Sequence, residues 1–547
     1  MAELMSRLIV VLALCPLLPC CAQQADYLGS KQCFGCHDGI YRSFTKTDMG
    51  RSMRLPSDLA PGSLPIEATV PVPSGNRVLR VYGDKSGWHQ SESEPGVFTD
   101  EHPLRYVIGS GTNGLSFAVE RDRYLFQAPL SFYAKTGKWD LSPGYQLADL
   151  GFSRPIAAEC ALCHSGRPQS VEKRNGEYRE PPFRELAIGC ENCHGPGGSH
   201  VRDPKRVGLI VNPAKLPARL AEDICLNCHQ GGDARVLQPG KHYTDFRPGQ
   251  WLLDTVAVFK VPGTLRSNKD ADLLEHHAAM KLSRCFRGSA GKLSCLTCHN
   301  PHVQPTAGEA ATYFQKKCLT CHTDASCRLP LTARTARTPS DDCIGCHMPK
   351  RIVTTISHTA LTNHRIPAHP DKPAPAGDSS DNTDLVLVNA PAGKKASLPE
   401  ITLLRAYAEL ANRNPIYQGK YVSLLERLAE TQPKDAYLQA ALGHKLLAEG
   451  KSQEALTHLS AGLPLEETAV NQDLAQALTN LGRAEEALPY LQTAAEREPY
   501  NAVLLKTLIL QYINLHRYPE AQEQMRRYMQ IFPEDSFMRS LLARVTK

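Results

Sequence analysis

Cys190-Glu191-Asn192-Cys193-His194-Gly195-Pro196-Gly197-Gly198-Ser199-His200 sets two thiols three residues apart, an imidazole directly after the second thiol, and another imidazole six residues further on. Its first five residues follow the pattern Cys-x-x-Cys-His. The same pattern stands at Cys33/Cys36/His37, Cys160/Cys163/His164, Cys225/Cys228/His229, Cys295/Cys298/His299, Cys318/Cys321/His322 and Cys343/Cys346/His347, seven copies in all. With 19 cysteines and 20 histidines in 547 residues, chance placement predicts about 0.02 copies. Two thiols at this spacing reach the two vinyl groups on one porphyrin edge, and the next residue puts its imidazole under the iron. Each copy therefore reads as a c-type haem attachment signature, and seven covalently attached haem c groups, with their iron, are expected. Structural zinc also uses paired Cys-x-x-Cys units. It offers no reason for a histidine directly after the second cysteine in every copy.

Each iron needs a sixth ligand or keeps an open face. Beyond the seven proximal histidines and three in the C-terminal region, ten remain: His89, His102, His200, His242, His276, His277, His302, His358, His364 and His369. That supply exceeds the seven irons. His302 lies three residues after His299, and His200 six after His194. A histidine so near its own proximal ligand cannot easily cross to the other face of the same tethered porphyrin, so each is expected to serve a neighbouring haem. His242, His277 and His358 are further candidates. The first site differs, because Met49 and Met53 follow it before any histidine does. Met49 as a ligand would raise that haem's potential; simple packing is the other reading.

From Cys160 to His347 the chain carries six sites in 188 residues, too little polypeptide for a core of its own, so the porphyrins are expected to form much of it. Tyr27-Leu28-Gly29-Ser30, Cys-Glu-Asn-Cys-His-Gly-Pro-Gly at 190–197, Cys-Leu-Thr-Cys-His-Asn-Pro-His at 295–302 and Cys-Ile-Gly-Cys-His-Met-Pro-Lys at 343–350 resemble the bacterial multihaem cytochromes c. That superfamily includes the tetrahaem carrier of ammonia oxidisers, pentahaem nitrite reductase and octahaem hydroxylamine oxidoreductase. The resemblance covers about residues 26–370 and implies His200, His302 and His364 as distal ligands. One departure stands out: no Cys-x-x-Cys-Lys string, the usual active haem of the ammonia-forming nitrite reductases, occurs here.

The rest of the chain falls into segments. Residues 1–22 read as a secretory signal peptide, with Arg7, an apolar run from Leu8 to Leu18 and small residues after it. A lipidated Cys20 or Cys21 is the alternative. Residues 23–366 form the expected haem domain, interrupted at about 66–146 by a β-rich insert whose strands are predicted at 77–82, 105–108, 116–120 and 123–127. Six prolines in the 33 residues 367–399 mark a linker. Within 400–547, Ala487, Leu491 and Pro499 recur 34 residues later as Ala521, Met525 and Pro533. That period resembles tetratricopeptide repeats, helix pairs that stack into a solenoid. The fold class expected is thus mainly α: a haem-packed domain with little regular structure apart from the insert, then an α-solenoid. Cys285 and Cys327 are left over, and in an oxidising compartment read as one disulfide.

The formal charge of +6 would tempt a nucleic-acid reading, but seven haems bring up to fourteen propionates for the lysines and arginines to meet. No nucleic-acid partner is expected. No later stretch approaches the roughly 18 apolar residues a membrane span needs. Two functions follow. The first is an exported, periplasmic or cell-surface electron carrier with mostly bis-His haems, redox-protein partners, and a peptide or protein ligand in the repeat groove. The second is an oxidoreductase acting on a small nitrogen or sulfur compound at one open haem, the first being the candidate, with His89 and His102 as proton donors.

Overall fold

The computed structural model describes residues 26–545, apart from 61, 73–75, 149, 263–275, 354–358, 369–382 and 392–397. The expected signal peptide, His358, His369 and much of the proline-rich stretch therefore lie outside the described residues.

Between the first and second haem motifs the chain builds two antiparallel sheets. Strands β1 (Met53–Arg54), β2 (Ala68–Pro71), β3 (Val78–Asp84), β4 (Gly87–Glu94), β5 (Phe98–Pro103), β6 (Tyr106–Ile108), β7 (Gly114–Arg121), β8 (Tyr124–Gln127), β9 (Leu130–Tyr133) and β10 (Lys138–Leu141) follow one another. One sheet runs β2-β3-β4-β5; the other runs β1-β6-β7-β9-β10, with β8 also paired to β7. Alternation decides which side chains go inside. In β3, Leu79 and Val81 are buried while Arg80 between them is exposed, the period of two that a pleated strand imposes. They share one core with Val107, Phe117, Val119, Phe126, Leu130 and Trp139 of the second sheet. Gln90, fully buried, ties the sheets together: its side-chain amide donates to the Leu130 carbonyl at 2.9 Å and accepts from the Leu130 N–H at 2.9 Å. The predicted strands coincide with β3, β6, β7 and β8. Strands β4 and β5, Gly-Trp-His-Gln-Ser-Glu-Ser-Glu and Phe-Thr-Asp-Glu-His-Pro, carry too few apolar residues to announce themselves.

The haem motifs ride on short helices: Phe34–Phe44, Ala158–His164, Cys190–His194, Ala218–His229, Cys295–Cys298, Ala310–Cys318 and Cys343–His347 hold all or part of one each. A helical turn brings residues three apart onto one face, which is what two thioethers on one porphyrin edge require. Packing differs sharply along this region. Between 281 and 365, across three motifs, Ala311 is the one buried apolar side chain among the described residues.

Beyond residue 399 nine helices are described: Glu400–Ala411, Pro415–Thr431, Ala436–Ala448, Ser452–Gly462, Thr468–Asn480, Ala484–Arg497, Ala502–Asn514, Tyr518–Ile531 and Ser536–Val545. The 34-residue period is a packing rule. Ala455, Ala487 and Ala521 are each 0% exposed, because only a small residue lets the paired helices approach. At Gly443 even a methyl group would lie 2.6 Å from Leu459 Cγ. The stretch expected to be linker is partly structured: Val386–Leu387 pairs with Phe259 and Lys260, extending the strands Ala234–Leu237 and Val256–Lys260. Buried Asn389 locks it, donating to the Val256 carbonyl and accepting from the Val258 N–H. Helix Glu400–Ala411 packs on that sheet through Leu404, Tyr407 and Leu410.

The repeats also return to the insert. Tyr500 packs its ring against Tyr124 and Phe126, and its hydroxyl donates to Asp122 at 2.7 Å. Arg121 reaches the Ile531 carbonyl, and Arg174 that of Glu496. The fold is therefore helical at its C-terminal end and mixed, with substantial strand, before it; "mainly α" describes the repeats alone.

Candidate haem sites

The Tyr27-Leu28-Gly29-Ser30 stretch finds its partner in the third motif. Glu191, the first residue between the two cysteines, is buried, and its carboxylate accepts from the backbone N–H groups of Leu28 (3.1 Å), Gly29 (2.7 Å) and Gly197 (2.7 Å). Ser30 Oγ accepts from the Cys190 N–H at 2.8 Å and donates to Glu185 at 2.9 Å. Backbone donors brought around a buried carboxylate satisfy it without a counter-ion. Motifs one and three are thereby held side by side, and the Cys33 and Cys190 thiols hydrogen-bond each other, which pushes Cys33 up and Cys190 down to about 7. The same contact joins Cys163 to Cys228, Cys225 to Cys295 and Cys318 to Cys343.

The other six motif cysteines stand outside this thiol–thiol pattern. Burial pushes Cys160 and Cys298 up, and Cys193 up to about 11. Cys321 is exposed and accepts from the Thr320 hydroxyl at 3.9 Å. Cys36 is an exposed free thiol on helix Phe34–Phe44. Cys346 is a free thiol as well, and its sulfur accepts from Arg337 at 3.5 Å, so its recorded partner is a guanidinium rather than another motif. For all fourteen motif cysteines, attachment of haem rests on the Cys-x-x-Cys-His spacing.

The histidines meet in pairs. Ring centres lie 6.4 Å apart for His37 and His200, 6.0 Å for His194 and His302, 6.2 Å for His299 and His364, and 5.8 Å for His229 and His276. Two imidazoles sharing an iron, with about 2.0 Å from metal to nitrogen and about 1.1 Å from that nitrogen to the ring centre, would stand about 6.2 Å apart. All four pairs fall within a few tenths of an ångström of that length. Further support comes from the opposite ring nitrogens: Nδ1 bonds the carbonyl of Val211 in His194, of Pro367 in His347 and of Thr362 in His364, at 2.8, 2.8 and 3.0 Å. Such bonds fix the tautomer and leave Nε2 for a metal. Burial pushes His229 and His299 down, His276 to about 3 and His364 to about 4. These imidazoles are neutral near pH 7, the form that binds metal. Together with the scarcity of buried apolar side chains among the described residues of 281–365, the residues present fit covalently tethered haem.

His276 was not among the residues expected to be ligands; its neighbour His277 was. On helix His276–Lys281 adjacent side chains point about 100° apart, so one of the two faces the motifs. His276 faces His229 and touches His364 at 4.3 Å, whereas His277 turns to Glu222 at 3.2 Å. Two adjacent histidines carry no sequence signal for which one faces inward. His242 is half exposed and sits 4.0 Å from Glu172. Met49 occupies the turn Met49–Arg51, and the ring paired with His37 is that of His200. His89 bonds Ser86, and His102 bonds Asp100 and Arg121 within the insert. The expected bridge between Cys285 and Cys327 is not made, since both thiols are free. Cys285 faces His322 instead.

Residues 478–545 match the family model of the tetratricopeptide repeat. The multihaem cytochrome MtrA of Shewanella baltica (strain OS185) is 25% identical over 190 residues, 33% of this chain and 56% of that protein. The chain thus spans about half the length of that curated relative. Among solved structures, the outer cell wall cytochrome OcwA aligns with 86% of this chain and 99% of its own at 15% identity and a TM-score of 0.41. A MamA RS-1 double mutant aligns with 28% of this chain and 85% of its own at 19% identity and a TM-score of 0.24. No helix among the described residues is long and apolar enough to cross a membrane. The chain shares distant sequence similarity with a multihaem cytochrome, and its residues 478–545 are similar to tetratricopeptide repeats.

Proposed function

We propose that the protein is an exported heptahaem c-type cytochrome that passes electrons along closely spaced haems, while its repeats dock a redox or assembly partner. One observation carries the reading: four motif histidines each face a second imidazole at the separation an intervening iron would set. Residues 1–22 are then the leader, 23–366 the haem domain and 400–547 the docking domain. The fourteen motif cysteines, Cys36 and Cys346 included, form the thioethers, and His37, His164, His194, His229, His299, His322 and His347 are the proximal ligands. His200 completes the first site, His302 the third, His276 the fourth and His364 the fifth. Haem supplies one-electron chemistry at iron. The chain's own part would be to present imidazoles to the iron, to orient His194, His347 and His364 through backbone carbonyls and to hold neighbouring motifs in contact.

Those contacts suggest a route that departs from chain order. Cys33 against Cys190 couples sites one and three, His302 links three to five, Cys225 against Cys295 couples four and five, and Cys163 against Cys228 couples two and four. Cys318 against Cys343 couples six and seven. The oxidoreductase reading needed an open first haem with His89 and His102 beside it. His200 opposite His37, and the engagement of both proposed donors inside the insert, weigh against it. The test is intact-mass analysis followed by reduction with a small dye. Seven covalent haem adducts that all reduce, without turnover of nitrite, hydroxylamine or tetrathionate, support the proposal; sustained turnover of any of the three overturns it.

A further inference from the structure

Among the described residues no histidine ring faces that of His322 in the sixth motif, but a sulfur does. Cys285 Sγ stands 4.0 Å from His322 Nε2. This is the ring nitrogen that a haem attached at Cys318 and Cys321 would use, and 4.0 Å is long for a sulfur–nitrogen hydrogen bond. A nitrogen and a sulfur on opposite sides of one metal ion, at about 2.0 and about 2.3 Å from it, would stand about 4.3 Å apart. The same ruler that fits the four imidazole pairs therefore fits this sulfur–imidazole pair as well.

The local structure holds the thiol in place. Cys285 is the second residue of helix Arg284–Gly288, and Ser283 caps that helix, buried to 1% exposure with Oγ accepting from the Phe286 N–H at 3.0 Å. Leu282 and Leu319, close to Cys285 and His322 in sequence, are 39% and 41% exposed, apolar surface of the kind a porphyrin covers. Cys327 is not bridged to Cys285, so the thiol is available. We propose that Cys285 is the second axial ligand of the haem held at Cys318, Cys321 and His322, making the sixth site a histidine–thiolate centre among bis-histidine ones. Coordination would convert the thiol to the thiolate, its proton passing to solvent. A thiolate donates more charge to iron than imidazole does and lowers the potential of its site relative to its neighbours.

This inference rests on the heptahaem reading, and the test separates the two. Oxidised, haem-loaded wild type and Cys285→Ala are compared by intact mass, low-temperature electron paramagnetic resonance and near-infrared absorption. If the covalent haem count is not seven, the heptahaem reading fails. With seven haems present, the wild type is expected to show one low-spin species of narrow g-spread with a sulfur-to-iron charge-transfer band. In Cys285→Ala that species is lost and one high-spin iron appears, which added imidazole returns to low spin. Cys285→His keeps the site six-coordinate if alanine impairs maturation, and is expected to convert the species to bis-imidazole type and raise its midpoint potential. Spectra unchanged in both variants, or a Cys285–Cys327 disulfide in unreduced peptide maps of the wild type, would overturn the proposal.

Discussion

Tyr500→Ala should free the repeats from the insert. The ring packs 5.2 Å from Tyr124, tilted, and 4.9 Å from Phe126, edge to face, and lies 6.0 Å from the Arg121 guanidinium. Two such aromatic pairs contribute about 0.5–1.5 kcal/mol each beyond burial. An exposed cation–π contact adds about 0.5 kcal/mol. The hydroxyl's bond to Asp122, exposed at this surface, adds about 0.5–1 kcal/mol. The sum, about 2–4.5 kcal/mol, is a shift of about 30- to 2,000-fold in the docking equilibrium. Because a two-domain haem protein need not unfold in one step, the assay follows far-ultraviolet and Soret circular dichroism together on heating. Wild type should lose repeat helices and haem environment in overlapping transitions; Tyr500→Ala should split them, with the helices melting first. Tyr500→Phe, keeping the ring, should lose the Asp122 contribution alone. If Tyr500→Ala melts as wild type does, the ring contacts do not couple the two parts and the docking argument fails.

Glu191→Ala leaves three backbone N–H groups without their acceptor, and is expected to cost about 2–4 kcal/mol, read as a lower melting temperature and incomplete haem loading at the first and third motifs. His276→Ala should produce one high-spin iron in the oxidised spectrum, whereas His277→Ala, which loses the Glu222 contact, should leave every iron low-spin. Glu534 is pushed up to about 7 by burial and by Glu92 and Asp100, against the pull of Arg77. The folded state then holds a proton that the unfolded chain releases above about 4.5, so stability should fall as pH rises from 5 to 7 and level off above that. Glu534→Gln should flatten that slope in melting curves taken across pH 5–8; an unchanged slope would refute the assignment.

The motifs were legible because covalent chemistry leaves a rigid spacing: no other requirement places histidine after Cys-x-x-Cys so regularly. The repeats were legible for a similar reason, since close helix approach demands Ala455, Ala487 and Ala521 at a fixed interval. What the sequence hides is direction. His276 and His277 differ by one helical step, and only the course of their helix decides which meets His229. The same holds for the motif thiols: nothing in the spacing shows that Cys33 meets Cys190 while Cys36 faces solvent and Cys346 meets Arg337. The Asp384–Asn389 stretch, Asp-Leu-Val-Leu-Val-Asn, carries a short unbroken apolar run like a buried strand, yet prolines on either side drew attention to a linker; its pairing depends on a sheet edge more than a hundred residues away. Cys285 and Cys327 looked like a pair by count, and the count could not show that a ring nitrogen lies opposite one of them.

The account rests on second ligands at the first, third, fourth, fifth and sixth sites, and low-temperature electron paramagnetic resonance of the oxidised, haem-loaded protein, integrated against total iron, tests it most directly. The account predicts at least five low-spin irons per chain and no signal that shifts on adding nitrite or hydroxylamine. A high-spin iron that does shift would contradict it and point to an open, reactive haem.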